Sequence, residues 1–240
     1  MCKKTIFLLL VFLCGMSVGD LNPGRGQDSN LPEPPQKRLP NVLILGDSIS
    51  IGYTPYVKKT LLNTANVVRP TLPQGRAENC AGTVNGIKHI ERWLAAGNHK
   101  WSVIHFNFGL HDLKRVDPKN RKNSNDPAHP RQSEPADYEK QLTEIVEKLL
   151  KTKARLIFAT TTPVPQGGVK PHRDVQDPNR YNAIALKIMK ANGIAVNDLY
   201  TAAQPKIKKI MRPVNVHFTK EGSEFLGQKV VKAIQEQLGQ

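Results

Sequence analysis

The sequence predicts an α/β fold with three layers, in which helices cover both faces of a five-stranded parallel sheet. The first observation is that short apolar runs alternate with segments of helical periodicity along the chain. The second is that 240 residues with 39% hydrophobic side chains can fill one sizeable core. The third is that no internal repeat of useful length is found, so one globular domain is the default.

Each element can be placed along the chain from these patterns. Strands are predicted at residues 42–45, 65–69, 101–108, 154–160 and 194–197. Helices are predicted at residues 53–63, 84–96, 136–152, 179–191, 198–211 and 219–238. Asn192-Gly193 provides a good C-cap for one of these helices. Five strands joined by helices in this way predict an open sheet of the flavodoxin-like type.

Right-handed crossovers place the carboxyl ends of all the strands on one side of the sheet. The segments that follow the strands should therefore meet there: Ser48, 79–83, 109–112, 161–163 and the segment before His217. Two long basic insertions, 114–135 and 164–177, should leave from the same side. They can form either a basic rim that selects an anionic substrate or a mobile, solvated loop. On the first interpretation the candidate substrate-binding residues are Lys114, Arg115 and Arg173.

The N-terminus has the pattern of a secretory signal. Lys3 and Lys4 precede ten apolar residues, 5–14, and Ser17-Val18-Gly19 fits cleavage before Asp20. A lipoprotein signal around Cys14 fits less well, since large residues precede that cysteine. We therefore predict a signal peptide at 1–19, a flexible tether rich in proline and glycine at 20–40, and a folded domain at 41–240. The mature protein should be secreted or periplasmic, with no integral membrane segment after cleavage.

The chain is strongly basic, with a formal net charge of +15 and a pI of about 9.8. Loss of Lys3 and Lys4 with the signal would leave +13. Such a charge suits either an anionic partner or a lysine-rich solubilising surface. Export argues against nucleic acid as that partner. Cys80 would be the single cysteine of the mature chain, so no internal disulfide is expected, and it is interpreted as a small buried residue.

The segment Gly46-Asp47-Ser48 follows the first strand directly and precedes a helix. A serine at the carboxyl end of a strand lies where open α/β sheets place their chemistry, so Ser48 is the candidate nucleophile. Asp47 is interpreted as a hydrogen-bonding residue of the turn. His217 precedes the last helix, which Thr219 can cap, and is the candidate base. His105 lies inside a predicted strand and is interpreted as a core residue.

Four blocks in this order resemble those of the SGNH (GDSL-type) hydrolase family. Gly46-Asp47-Ser48 resembles the first block, Ala81-Gly82-Thr83 the second, Gly109-Leu110-His111-Asp112 the third and the segment around His217 the last. The resemblance implies a serine esterase with Ser48 as nucleophile, His217 as base and the N–H groups of Ser48 and Gly82 in the oxyanion hole. Asp112 is interpreted as a supporting residue.

The sequence departs from the family pattern at two points. His111 stands where the family has an oxyanion-hole asparagine, and a neutral imidazole can donate one N–H in its place. Val214 stands where the family has the triad aspartate, three residues before His217. Asn215 or a backbone carbonyl then remains to orient the imidazole, as the asparagine does in Cys-His-Asn sites. Asp112 and Asp198 are the other nearby carboxylates, and Asp198 is expected to cap a helix.

We therefore expect an exported esterase that hydrolyses short, acetyl-type esters with a Ser48–His217 pair. The basic insertions make an acidic or sulfated carbohydrate a plausible carrier of the acyl group. No metal or organic cofactor is expected. The alternative is a non-catalytic domain of the same fold that binds an anionic polysaccharide, because both departures weaken the catalytic apparatus. Chain length of the acyl group, the alcohol and the oligomeric state do not follow from the sequence.

Overall fold

The computed structural model describes residues 38–240. The predicted signal peptide and nearly all of the predicted tether lie outside the described residues. None of the helices in the described part of the chain is long and apolar enough to cross a membrane.

A five-stranded parallel sheet forms the centre of the domain. Its strands are β1 (Asn41–Leu45), β2 (Asn66–Val68), β3 (Trp101–Phe106), β4 (Arg155–Ala159) and β5 (Ala195–Asn197). They lie in the order β2-β1-β3-β4-β5, and every neighbouring pair is parallel. Strand β1, which lies between β2 and β3, is apolar and fully buried from Val42 to Leu45. This order confirms the predicted flavodoxin-like sheet.

Within residues 38–240, seven α-helices connect and cover the strands. They are α1 (Ser48–Thr60), α2 (Thr83–Leu94), α3 (Pro135–Leu150), α4 (Asp177–Ala191), α5 (Leu199–Ala203), α6 (Ile207–Ile210) and α7 (Lys220–Leu238). Helix α1 packs against α7, while α3 packs between α2 and α4. The single helix predicted at 198–211 was wrong, since a 3₁₀ turn at Gln204–Lys206 separates α5 from α6. Pro205 lies in that turn and has no N–H to continue an α-helical ladder.

Helix α1 begins five residues earlier than the apolar periodicity predicts. Asp47 caps it, because its Oδ1 accepts the N–H of Ile49 at 2.9 Å. Ser48 is therefore the first residue of the helix rather than part of a loop before it. This placement puts the serine at the helix N-terminus, where backbone N–H groups have no intrahelical acceptor.

Helices α1 and α7 approach each other closely along a seam of small residues. A Cβ atom on Gly227 would lie 2.8 Å from the ring of Tyr56, and one on Gly52 would lie 3.1 Å from Oγ of Ser223. Gly222, in the first turn of α7, lies against the carbonyl oxygen of Ile210, only 2.0 Å from where its Cβ would be. Only glycine fits at 222 without moving the backbone, so α7 is held firmly against α1 and α6.

The two insertions bind each other. The N–H of Arg115 donates to the carbonyl of His172, and the N–H of His172 donates to that of Ser124, each at 2.9 Å. The Asp174 carboxylate accepts from Arg115, from Arg131 at 3.1 Å and from His172 at 3.0 Å. The insertions are therefore joined by hydrogen bonds, and part of their basic charge is neutralised within the protein.

Candidate active site

Ser48 lies at the carboxyl end of β1, in the first turn of α1. Its N–H donates to no acceptor within residues 38–240, as expected for a first-turn amide. The neighbouring Ile49 N–H is held by the Asp47 carboxylate, which is 2% exposed. Burial raises the pKa of Asp47, although its hydrogen bonds and two arginines oppose that effect. Asp47 thus shapes the turn, and the Ser48 N–H stays available to a ligand.

A buried arginine supports the serine turn from below. One terminal nitrogen of Arg69 donates to Oγ of Ser50 at 3.2 Å and to Oγ1 of Thr54 at 3.0 Å. The other donates to the carbonyls of Gly46 at 3.3 Å and Glu78 at 2.9 Å. Sequence reasoning missed this residue. The available signal was an arginine at the end of an apolar strand, where a charge must find several buried acceptors.

Cys80 also lies beneath this turn, and its N–H donates to the Gly46 carbonyl at 3.1 Å. The thiol is fully buried, and burial raises its pKa to about 12. A thiol with this pKa is almost entirely protonated at neutral pH, and the protonated form is a poor nucleophile. Cys80 therefore has the environment of a core residue.

His217 lies within hydrogen-bond distance of the serine. Its Nε2 is 2.9 Å from Oγ of Ser48. The ring is carried by a turn that Met211 and Phe218 close as an antiparallel bridge. Helix α7 begins just beyond this turn, where Oγ1 of Thr219 caps the N–H of Gly222 at 3.0 Å. The base candidate and the nucleophile candidate thus stand at the N-termini of two helices that pack together.

Asn215 determines which nitrogen of His217 carries the proton. One side-chain atom of Asn215 lies 2.9 Å from the backbone N–H of His217 and 2.7 Å from its Nδ1. A backbone N–H can only donate, so this atom must be the amide oxygen. Nδ1 must then carry the hydrogen, and Nε2 presents its lone pair to Ser48. The asparagine therefore selects the tautomer that a general base requires.

The residues at the other positions named for orienting His217 lie elsewhere. Val214, at the position of the family's triad aspartate, is 51% exposed, has a φ of 48° and lies against Gly167. A positive φ is unusual for a β-branched residue. Asp198 caps α5 by accepting the N–H of Thr201 at 3.1 Å, as predicted. Asp112 is engaged with Thr83. Asn215 is the partner that Nδ1 has in the described part of the chain.

His111 lines the same cavity as Ser48 and His217. Burial lowers its pKa to about 3, and Lys114, Arg173 and His217 add to the effect. The ring is therefore neutral at physiological pH and has one N–H to donate. A neutral donor that lines the same cavity as the serine has the chemistry of the side-chain group that the third block is expected to supply.

Gly82 is the N-cap of α2, and its N–H donates to no acceptor within residues 38–240. A Cβ atom at this position would lie 2.7 Å from Oδ1 of Asp112. That oxygen accepts the N–H of Thr83 at 2.8 Å and its hydroxyl at 2.6 Å. Burial raises the pKa of Asp112 to about 6. Asp112 thus holds the Gly82–Thr83 turn against the third block, which is a supporting role.

A cavity of about 230 Å³ opens at this site. It is lined by Ser48, Asn79, Leu110, His111, Lys114, Asn123, Lys170, Pro171, Arg173, Val216 and His217. Most of the segments predicted to meet at the sheet edge are represented. Residues 161–163 are not, because they are buried behind it, where the N–H of Thr161 donates to Asn182 at 2.7 Å.

The three predicted substrate-binding cations have different positions. Lys114 and Arg173 line the cavity. Arg115 does not, since its guanidinium is paired with Asp174. Lys170, which sequence reasoning did not single out, lies at the cavity in its place. The signal for Lys170 was its position in the second basic insertion.

Burial lowers the pKa of His217, and the nearby charges of Arg212 and Arg173 add to the effect. The free imidazole is therefore predominantly neutral at neutral pH, the form that can accept a proton. His105 is buried on β3, its Nε2 is 3.2 Å from Asn197, and burial lowers its pKa to about 3. It lies in the core. Within residues 38–240, no group of three or more His, Cys, Asp or Glu residues could hold a metal.

The sequence model of the GDSL-like lipase/acylhydrolase family matches residues 44–225, more than half of the chain. The chain belongs to this family. The match covers all four blocks, from the serine turn to the segment that carries His217. As a GDSL-like acylhydrolase the protein is a serine hydrolase.

Solved structures of similar fold are numerous. A lipase/acylhydrolase from Enterococcus faecalis has a TM-score of 0.64 at 20% identity over 82% of this chain and 96% of its own. The acetyl xylan esterase AlAXEase has a TM-score of 0.62 at 15% identity, covering 81% and 99%. A Geobacillus acetyl-xylooligosaccharide esterase has a TM-score of 0.60 at 16% identity, covering 84% and 94%. No curated protein sequence is significantly similar to this GDSL-like hydrolase.

Proposed function

We propose that this GDSL-like hydrolase is an exported serine esterase that removes short acyl groups, of the acetyl type, from a carbohydrate. The observation that carries the proposal is the 2.9 Å contact between Oγ of Ser48 and Nε2 of His217, with Nδ1 fixed by Asn215. Export rests on the predicted signal at residues 1–19 alone.

In the acylation step, Oγ of Ser48 attacks the ester carbonyl while Nε2 of His217 accepts the serine proton. The N–H groups of Ser48 and Gly82 and the neutral imidazole of His111 stabilise the oxyanion of the tetrahedral intermediate. His217 then gives its proton to the departing alcohol. A water molecule, deprotonated by the same imidazole, attacks the acyl-serine and releases the carboxylic acid.

Asn215 supports catalysis by geometry rather than by charge. Replacement of a triad aspartate by asparagine can cost roughly 10⁴ in rate when it strands the wrong tautomer. Here the amide oxygen is fixed toward Nδ1 by the backbone N–H of His217, so the correct tautomer is retained. The remaining cost is the missing negative charge beside the imidazolium. The proposed esterase is therefore active, but its His217 is a weaker base than the histidine of a full Ser-His-Asp triad.

The substrate class is supported by the size of the cavity and by the neighbours. A cavity of about 230 Å³ suits a small acyl group with part of its carrier. Two structures of similar fold are named as an acetyl xylan esterase and an acetyl-xylooligosaccharide esterase. Those names describe activity on acetylated carbohydrate, and we propose the same class here.

The test compares wild-type protein with Ser48→Ala on a panel of acetyl, butyryl and octanoyl esters and thioesters. We expect wild-type turnover to be highest for acetyl and to fall with chain length, and Ser48→Ala to lose at least about 10³-fold. Ser102→Ala is the matched control, because Ser102 lies at the amino end of β3, on the opposite edge of the sheet. An organophosphonate should label wild-type protein at Ser48. Equal activity of wild type and Ser48→Ala, without labelling, would instead support the non-catalytic binding domain.

A further inference from the structure

We propose that Arg173, Lys114 and Lys170 form a binding subsite for one oxyanion, a carboxylate or sulfate, on the sugar that carries the acyl group. The inference rests on the proposed esterase function and specifies its substrate: an acylated acidic sugar rather than a neutral one. All three side chains line the cavity that also contains Ser48 and His217. A bound oxyanion would therefore belong to the molecule whose ester is attacked.

Arg173 is the fixed centre of this subsite. Its side chain is only 6% exposed, and it is held by bonds from Nε to the Leu110 carbonyl at 2.8 Å and from Nη1 to the Pro171 carbonyl at 3.2 Å. Its Nη2 donates to no acceptor within residues 38–240. A guanidinium held in this way is organised in advance to donate to an oxyanion, with little further loss of side-chain freedom.

Nearby carboxylates do not neutralise this arginine. Asp47 is the carboxylate that influences it, but no ion pair within 4.0 Å joins the two in the described residues. Burial lowers the pKa of Arg173 to about 10, so it remains cationic at neutral pH. A buried cation without a close counterion is costly, and an anionic ligand would offset that cost.

Lys114 and Lys170 complete the subsite. Neither forms an ion pair with a carboxylate of residues 38–240, and the lining of the cavity contains no aspartate or glutamate. Burial and the charge of Arg173 lower the pKa of Lys114. The mutual repulsion that this shift reflects would be relieved by a bound anion.

Two arginines outside the cavity differ from these three cations in that carboxylates neutralise them. Arg115 and Arg131 come from the same basic insertion, yet both are paired with Asp174, and Arg131 also binds Asp177 at 2.7 Å. The fold thus neutralises the arginines that lie behind the cavity and leaves the three cations that face it without a partner.

Asp174 also links the ion pairs of Arg115 and Arg131 to the position of the subsite. It follows Arg173 directly, and its bonds to Arg115 and Arg131 fix the segment that carries the arginine. The position of the anion-binding group is therefore set by ion pairs within the insertions. Placement of one oxyanion beside Ser48 would orient the ester for attack, which raises kcat/KM for anionic substrates.

The experiment measures kcat/KM for matched acetyl esters: acetylated methyl glucuronoside, the acetylated 6-sulfate of methyl glucoside and acetylated methyl glucoside. We expect wild type to prefer at least one anionic ester by about 10- to 100-fold, the range for one or two charge-assisted hydrogen bonds. Lys170→Gln and Arg173→Gln should lower that ratio toward 1. Lys119→Gln is the control, since Lys119 is an exposed lysine of the same insertion that does not line the cavity. It should keep the wild-type ratio.

A wild-type ratio of about 1 with both classes hydrolysed would overturn the subsite and leave the esterase proposal intact. If wild type hydrolyses none of the esters, calorimetry on Ser48→Ala decides independently of catalysis. Binding of methyl glucuronoside or the sulfated glucoside, but not of methyl glucoside, that is lost in Ser48→Ala/Lys170→Gln would support the subsite. Equal binding of the charged and neutral sugars would overturn it.

Discussion

Asn215→Asp should place a negative charge beside Nδ1 of His217, the candidate general base. The substituted carboxylate oxygen can accept both the backbone N–H of His217, now 2.9 Å away, and Nδ1–H, now 2.7 Å away. The amide nitrogen of Asn215 donates to no acceptor within residues 38–240, so no hydrogen bond is lost. The change therefore adds one negative charge in an unchanged geometry.

The size of the effect follows from Coulomb's law. Unit charges about 4 Å apart attract by about 4 kcal/mol at an effective dielectric constant of 20. His217 is only partly buried, and Arg212 and Arg173 act on the same ring, so solvent and these charges reduce the gain. A carboxylate at hydrogen-bond distance shifts a pKa by roughly 1–3 units, at about 1.4 kcal/mol per unit. We expect the pKa of His217 to rise by about 1–2 units and kcat/KM on the plateau to rise about 10-fold.

The assay is the pH profile of kcat/KM for an acetyl ester. The catalytic form of His217 is neutral, so activity is lost as the pH falls through its pKa. In wild type that pKa lies below its ordinary value of 6.5. A raised pKa in Asn215→Asp moves the acid limb of the profile to higher pH.

Val214→Asp is the matched control. It places a carboxylate three residues before His217, but on a side chain that is exposed and lies against Gly167. We expect its acid limb to stay within about half a pH unit of wild type, a small surface-charge effect. An unmoved acid limb in Asn215→Asp, or a shift produced by Val214→Asp instead, would refute the assigned role of Asn215.

Three further predictions concern the residues around the serine turn. His111→Ala should lower kcat by about 10²–10³-fold with a small change in KM, whereas His111→Asn should retain most activity; equal losses would mean that no donated hydrogen bond is involved. For Asp112, whose folded-state pKa is raised to about 6, stability should fall as the pH rises from about 4 to above 6, since the buried carboxyl must then ionise. Urea unfolding of Asp112→Asn should show a flatter pH dependence over that interval, and an unchanged slope would contradict the shift. Iodoacetamide should leave activity intact in folded protein, because the buried Cys80 thiol has a pKa of about 12; rapid inactivation with alkylation at Cys80 would show an accessible thiolate.

The sheet, and the edge of it that carries the candidate catalytic residues, could be predicted because the sequence patterns that indicate them are local. The run Asn41–Leu45 is apolar throughout, and a strand buried on both faces needs no other pattern. Parallel strands then bring Ser48, His111 and His217 to one edge by topology alone. The start of α1 was missed because capping by Asp47 depends on a side-chain hydrogen bond that hydrophobic periodicity does not register.

The roles of the charged residues could not be predicted in the same way. Arg115 and Arg173 both belong to basic insertions, yet one is paired behind the cavity and the other faces it. The difference depends on Asp174, which meets Arg115 only after two segments about 60 residues apart are folded together. The buried contacts of Arg69 could not be predicted for the same reason, since its four acceptors come from two separate segments, residues 46–54 and Glu78.

The glycine seam between α1 and α7 makes catalysis sensitive to positions far from the chemistry. Ser48 starts one of these helices and His217 lies three residues before the other, so their separation depends on how closely Gly227 lets α7 approach Tyr56. A methyl group at Gly227 would push the helices apart by a few tenths of an ångström and lengthen the serine–histidine contact. Laboratory evolution of this enzyme toward faster or slower turnover should therefore accumulate substitutions along this helix pair, many residues away from any atom that the substrate touches.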